Sequence, residues 1–194
     1  MRTYDGLLPL LYVDGSSTPR PLPSVHMTTF HAANLRYHAL CGAQLPGVQF
    51  TMADLSGADL SRANLQQCHF HRARMHGVNA AGANFWQADL TQVHADGANV
   101  LGANLSNVDL NQAILTHALL AGANLAGVRT GRGGHMARRP TNLRDADLRA
   151  TDLRDADLYD ADLYDADLRG ARYNAATRWP RNWEVPYAVL QWCA

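Results

Sequence analysis

Residues 141–168 read TNLRDADLRATDLRDADLYDADLYDADL. A leucine recurs every five residues, at Leu143, Leu148, Leu153, Leu158, Leu163 and Leu168, preceded by Asp or Asn and, before that, by Ala or Thr. The unit A-(D/N)-L-x-x suits neither regular element. On a helix at about 100° per residue, successive leucines rotate by roughly 140° and never form a stripe. On a continuous strand an odd period sends alternate leucines to opposite faces. A chain that turns a corner every five residues satisfies the pattern. Each unit is then one short side of a coil, with the leucine and the alanine two before it pointing inward.

Working outward, the same unit recurs as Ala33-Asn34-Leu35, Ala53-Asp54-Leu55, Ala58-Asp59-Leu60, Ala63-Asn64-Leu65, Ala83-Asn84-Phe85, Ala88-Asp89-Leu90, Ala103-Asn104-Leu105 and Ala123-Asn124-Leu125. Phe30, Phe50 and Phe70 stand twenty apart, as do Asn64, Asn84, Asn104 and Asn124. Twenty is four fives, so like stacks on like once per four-sided coil. Where the central residue shrinks to Ala80 or Ala95, the inward partner grows to Val78 or Val93, the compensation a close-packed interior requires.

The repeat breaks once. Central residues fall at multiples of five up to the break and at 143, 148 and 153 after it. If Val128-Arg129-Thr130 is one more side, eight residues are extra, and they lie within Gly131–Pro140, whose glycines and proline favour a protruding loop. The chain divides into an extended capping segment (1–27), coils (28–130), an Arg/Gly loop (131–140), further coils (141–175) and an aromatic cap (176–194). About seven coils at ~4.8 Å each give a rod on the order of 34 Å long. Trp179, Trp183, Tyr187, Leu190 and Trp192 crowd the last segment, more aromatic surface than one cap needs, and part of it is a candidate dimer contact.

The 194 residues carry 17 Arg, no Lys, 16 Asp and one Glu, for zero formal charge. That balance excludes a chain-wide basic footprint for nucleic acid and a uniformly acidic tail. Three cysteines without C-x-x-C spacing argue against a disulfide framework or zinc ribbon. The apolar run Gly6–Val13 is interrupted by Pro9 and too short to span a bilayer, so a soluble cytoplasmic protein is expected.

Charge is unevenly placed. The loop and its flank hold Arg129, Arg132, Arg138 and Arg139 beside His135, while residues 141–170 hold nine Asp against four Arg. Asp147, Asp152, Asp157, Asp162 and Asp167 precede core leucines; the plain reading is that they bond locally to backbone. The functional reading is a phosphate-like surface that a DNA-binding protein accepts in place of DNA. Loop arginines and these aspartates together form the candidate partner-binding set. His69, His71 and Asp89 are neighbours under the twenty-residue rule, but adjacent outward positions diverge, and neither metal nor cofactor is expected. No phosphate loop, no G-x-S-x-G and no carboxylate pair in an apolar cleft is present, so the protein is not expected to be an enzyme.

The repeats from about 28 to 175 resemble the pentapeptide-repeat family, as does the closing segment Ala171–Pro180. The resemblance implies an all-β fold, a right-handed quadrilateral parallel β-helix, with no catalytic role. It further implies protein partners. Several members, including the Qnr quinolone-resistance group, bind gyrase, a type II DNA topoisomerase, and protect it from inhibitors, and relatives often dimerise through the C-terminal end. Two alternatives stand beside a gyrase binder: an interaction scaffold for an unrelated protein, and a small-molecule pathway enzyme or chaperone using a cleft beside the loop.

Overall fold

The structure, a computed structural model, describes residues 29–131, 140–181, 183–184 and 190–193. The proposed N-terminal cap (1–27) and the loop residues 132–139 lie outside the described residues.

From Thr29 to the break the backbone forms ladders of parallel bridges in which one residue of each side pairs with the one twenty later. One face carries Thr29, Gln49, His69, Asp89 and Asp109; the next carries Asn34, Asp54, Arg74, His94 and Ile114. The third carries Ala39, Asp59, Asn79, Asn99 and Leu119, and the fourth Gln44, Asn64, Asn84, Asn104 and Asn124. Four ladders with one common offset make a four-sided parallel β-helix. A side of five residues turns again almost at once, so most pairings are single bridges. Two-residue strands form at β1 (Thr141–Asn142), β2 (Ala161–Asp162), β3 (Arg172–Tyr173) and β4 (Gln191–Trp192), with β1 parallel to β2 and β3 parallel to β4.

Corners are four-residue turns. At one of them the Ala53 N–H donates to the Phe50 carbonyl at 2.9 Å, and the third residue, Met52, has φ +59°. A left-handed third residue is the type II pattern, which favours Gly. Ala, Met, Arg, Gln and His nevertheless occupy it at many corners. Strain on the order of 1–2 kcal/mol at each is offset by cross-coil bonds, such as Met52 N–H to the His71 carbonyl at 2.9 Å. At Gly57 an added Cβ would lie 2.5 Å from the exposed Tyr37 ring, which would have to turn aside.

The leucines and alanines of the repeat fill the interior. Ala53, Leu55, Ala58, Leu60 and Leu65 are buried, and Phe30, Phe50 and Phe70 stack at centroid spacings of 5.3 and 4.9 Å. Val78 and Val93 are buried beside Ala80 and Ala95, so the exchange of large for small occurs inside the rod. It is incomplete, because a hollow of about 20 Å³ remains among Phe85, Ala95, Val100, Leu105 and Leu115. Its wholly apolar lining leaves a water nothing to bond.

At the break, Ile114 pairs with Asn142, Leu119 with Asp147, Asn124 with Asp152 and Arg129 with Asp157. The offset there is 28 residues, eight more than elsewhere, yet the ladders run on without a gap. Beyond it the offset returns to twenty, with Asp147 opposite Asp167 and Asp152 opposite Arg172, before the C-terminal end departs from it at Asp157 opposite Arg178 and Arg172 opposite Gln191.

Candidate protein-binding surface

Two buried threonines hold the base of the insertion. Thr130 takes the inward central position between Leu110 and Leu158 on its face, and its hydroxyl and N–H both donate to the Asp157 carbonyl, at 2.9 and 3.0 Å. Thr141 takes an inward alanine position, and its hydroxyl lies 2.7 Å from the carbonyls of both Leu110 and Thr130. Polar side chains at these core positions are satisfied by the carbonyls around them. The insertion therefore leaves and re-enters through a bonded clasp. Repetition alone marks these positions as core; nothing in the spacing shows that their hydroxyls close the break. Arg129 is exposed and faces Asp109 at 3.6 Å. Arg132, His135, Arg138 and Arg139 lie outside the described residues.

The five aspartates that precede core leucines after the break all face arginine. Asp147 meets Arg149 at 2.8 Å, Asp157 meets Arg178 at 2.6 Å, Asp162 meets Arg144 at 3.1 Å, and Asp167 meets Arg169 at 2.5 Å. Asp152, whose side chain is 9% exposed, is held by Arg154 at 2.6 Å and Arg172 at 2.8 Å. Hydrogen bonding from Arg169 holds the Asp167 carboxyl down at about 2. Arg149 and Arg154 lower Asp147 and Asp152 in the same way. At Asp54 burial pushes the carboxyl up, but hydrogen bonds from Ser56 and the charges of Arg36 and Arg74 outweigh it.

Each of these aspartates also accepts the N–H two residues on, as Asp147 does from Arg149 at 3.1 Å and Asp167 from Arg169 at 3.1 Å. That bond tucks the carboxylate against the corner, within reach of the next arginine. The surface therefore carries much less free negative charge than nine aspartates imply. Asp145 faces His117 at 4.0 Å, and Asp155 accepts from Asn174 at 3.0 Å. Among the described residues of this block, Asp160 and Asp165 are left with neither an ion pair nor a side-chain hydrogen bond. The signal was in the sequence: Asp-Leu-Arg recurs at 147–149, 152–154 and 167–169.

Two hollows open beside Pro140. A groove of about 560 Å³ lies on the last coil between two corners of identical sequence, Tyr159-Asp160 and Tyr164-Asp165, with Pro180 and Trp183 at its end. A second hollow, about 460 Å³, is lined by Arg72, Gln92, His94 and Gln112 and shares Pro140 and Asp162 with the first. Neither is lined by a Ser, Thr or Cys nucleophile among the described residues.

Of the histidines considered as ligands, His69 stands between Gln49 and Asp89 on the ladder. His71 instead bonds the Thr91 hydroxyl at 2.7 Å, which donates to Asp89 at 2.6 Å. No group of three or more His, Cys, Asp or Glu placed to hold a metal occurs among the described residues. Cys68 fills an inward alanine position, where burial pushes its thiol up to about 12.

At the C-terminal end Trp179 stacks on Trp183 at 5.4 Å, and Tyr173 meets Trp179 and Trp192 edge-on at 5.9 and 5.2 Å. Trp179, Trp183 and Leu190 pack against the core, while Trp192 is 58% exposed. Tyr187 lies outside the described residues. No helix among the described residues is long and apolar enough to cross a membrane.

Comparison with known proteins adds the family. A model described as a pentapeptide repeat region matches residues 43–130, and one described as pentapeptide repeats in eight copies matches 141–172. Comparison with curated proteins gave no match. Among solved structures, HetL from the cyanobacterium Nostoc sp. strain PCC 7120, a pentapeptide repeat protein involved in heterocyst differentiation regulation, is 24% identical over 84% of this chain and 69% of its own, with a TM-score of 0.42. The pentapeptide repeat protein alr5209 of Nostoc is 30% identical over 72% of this chain and 84% of its own, at TM-score 0.35. Trypsin-treated QnrB1, a plasmid-mediated fluoroquinolone resistance protein, is 15% identical over 86% and 77% of the two chains, at TM-score 0.49. The two family models together match more than half of the chain, in the same two blocks that the ladders define, and the chain belongs to the pentapeptide-repeat family.

Proposed function

We propose that the protein is a non-catalytic protein-binding rod of about seven coils whose recognition surface lies at the break between its two blocks. One observation carries this reading: the ladders continue across eight inserted residues, closed beneath by Thr130 and Thr141. A scaffold whose pairing continues beneath an insertion does not depend on that insertion for its ladders, and loops carry function more often than the elements that hold them. A solid core and open, shallow hollows favour a macromolecular partner over an enclosed substrate.

The most specific partner that the family resemblance supplies is a type II DNA topoisomerase; an unrelated protein is the alternative. A surface standing in for DNA has to rest on Asp145, Asp155, Asp160 and Asp165, because the ladder aspartates are answered by arginine. Site-specific photo-crosslinkers at positions 129, 155 and 164, offered first purified gyrase and then lysate, test both readings. Crosslinks to gyrase together with protection from a quinolone support the topoisomerase reading. Crosslinks to another protein support the scaffold. A partner that crosslinks only through residues 29–110 contradicts the location. We further propose that Trp192 and the outer edge of β4 form a homodimer contact; a strict monomer in sedimentation at micromolar concentration contradicts it.

A further inference from the structure

We propose that the groove between Tyr159-Asp160 and Tyr164-Asp165 is a docking site for an arginine side chain on an extended basic segment of the partner. This rests on the protein-binding reading and names the chemistry of the partner's contact. Three observations support it. First, the charge is selective: each ladder aspartate of this block meets an arginine, and Asp145 and Asp155 have His117 and Asn174, whereas Asp160 and Asp165 flank the groove without an ion pair among the described residues, the one arginine in its lining, Arg181, bonding the Tyr159 hydroxyl instead.

Second, the Oδ2 atom of Asp160 is shut off from water against Gly131 and has no hydrogen-bond partner. An unbonded oxygen in that state makes the charge of Asp160 costly, and a cation in the groove beside the carboxylate offsets that cost. Third, the rings at both corners already receive guanidinium groups. Arg144 lies 4.4 Å from the Tyr164 centroid, and Arg178 and Arg181 lie 5.0 and 4.8 Å from that of Tyr159. The walls are thus of the kind that stacks planar cations, and the chain's own arginines show the geometry. An open groove of about 560 Å³ admits a side chain carried on an extended backbone. Arginine fits better than lysine because its planar fork stacks and donates at once.

The test uses the full chain and a defined probe, the blocked peptide Gly-Arg-Gly-Arg-Gly, with its lysine counterpart for comparison, followed by amide chemical shifts. The site predicts shifts centred on residues 159–165 and 183, with the arginine peptide bound more tightly than the lysine one. Asp160→Asn with Asp165→Asn should weaken binding about tenfold, the loss of one exposed and one half-buried charge contact. Tyr164→Ala, at an exposed corner, should weaken it without altering the fold, and Asp96→Asn on a distant corner should leave it unchanged. Shifts spread over all acidic corners, equal binding of the two peptides, or indifference to Asp165→Asn and Tyr164→Ala would each overturn the site. The outcomes separate from those of the parent reading. A captured partner that still binds the Asp165→Asn, Tyr164→Ala double variant sinks the groove and leaves the rod; a peptide site with no protein partner keeps the groove and sinks the rod.

Discussion

The two blocks share one backbone and differ in what they show to solvent. Before the break the outward positions mix amides with Asp, His, Arg and apolar residues, and it is the amides that bond coil to coil. Asn104 donates to Asn84 at 3.1 Å, Asn99 to Asn79 at 3.1 Å and Asn64 to Gln44 at 3.2 Å. After the break the same positions carry aspartates, answered by arginines two or about twenty residues away. Both chemistries satisfy the same local requirement, an acceptor for the N–H two residues on, as Asn104 gives Ser106 at 3.1 Å and Asp152 gives Arg154 at 3.2 Å. The repeat thus favours a short acceptor before the core residue and leaves its charge free to vary, although Ala39, Ile114 and Leu119 take the position without one. Charge was placed where the rod is interrupted.

The largest effect should ignore the difference between blocks. Leu105→Asp and Leu153→Asp each place a charge in the shared core, at positions 3% and 0% exposed. Either should prevent folding, because an unpaired buried charge costs several kcal/mol or more. A soluble variant with wild-type circular dichroism would show that the interior is not continuous across the break. Next comes the clasp. Thr141→Val keeps the shape but strips the donor from the Leu110 and Thr130 carbonyls, and should cost about 1–3 kcal/mol in denaturant unfolding. A neutral result would mean the insertion is not tied at its base.

Acid should divide the blocks. Asp147, Asp152 and Asp167 have folded values lowered by arginine hydrogen bonds, so their stabilisation is present above the unfolded value of about 3.9 and is lost as pH falls through the folded values, about 2 for Asp167. Hydrogen exchange between pH 5 and 2 should therefore show the coils after the break loosening first. In the first block the corresponding group is Asp54. Uniform loosening would remove the distinction. The smallest effect belongs to the core hollow. Val100→Leu should stabilise by at most about 1 kcal/mol, since added methylenes gain only if they fit.

The fold was legible because a five-residue period has one mechanical solution, and the phase change from multiples of five to 143, 148 and 153 located the insertion to within a few residues. The local bonding of the ladder aspartates to backbone was readable from their place before each leucine, whereas their pairing with arginine is not given by counting charges along the chain. Whether Arg154 and Arg172 reach Asp152 depends on how each corner aims its side chains, which composition does not show. The groove was invisible for a related reason. Tyr159-Asp160 and Tyr164-Asp165 read as two ordinary corners, and only closure of the last coil beside Pro180 and Trp183 makes them facing walls.

The central claim is that scaffold and recognition are separable at the break, and joining Gly131 to Pro140 by removing residues 132–139 tests it most directly. The deletion restores a twenty-residue offset across the break, and loop length itself costs little. The measurement is the affinity of the shortened chain for the crosslinked partner, at a temperature where circular dichroism shows it folded. The account predicts a melting point within a few degrees of wild type and binding weaker by tenfold or more, about 1.4 kcal/mol. Unchanged affinity in the folded variant would contradict it and place recognition elsewhere on the rod.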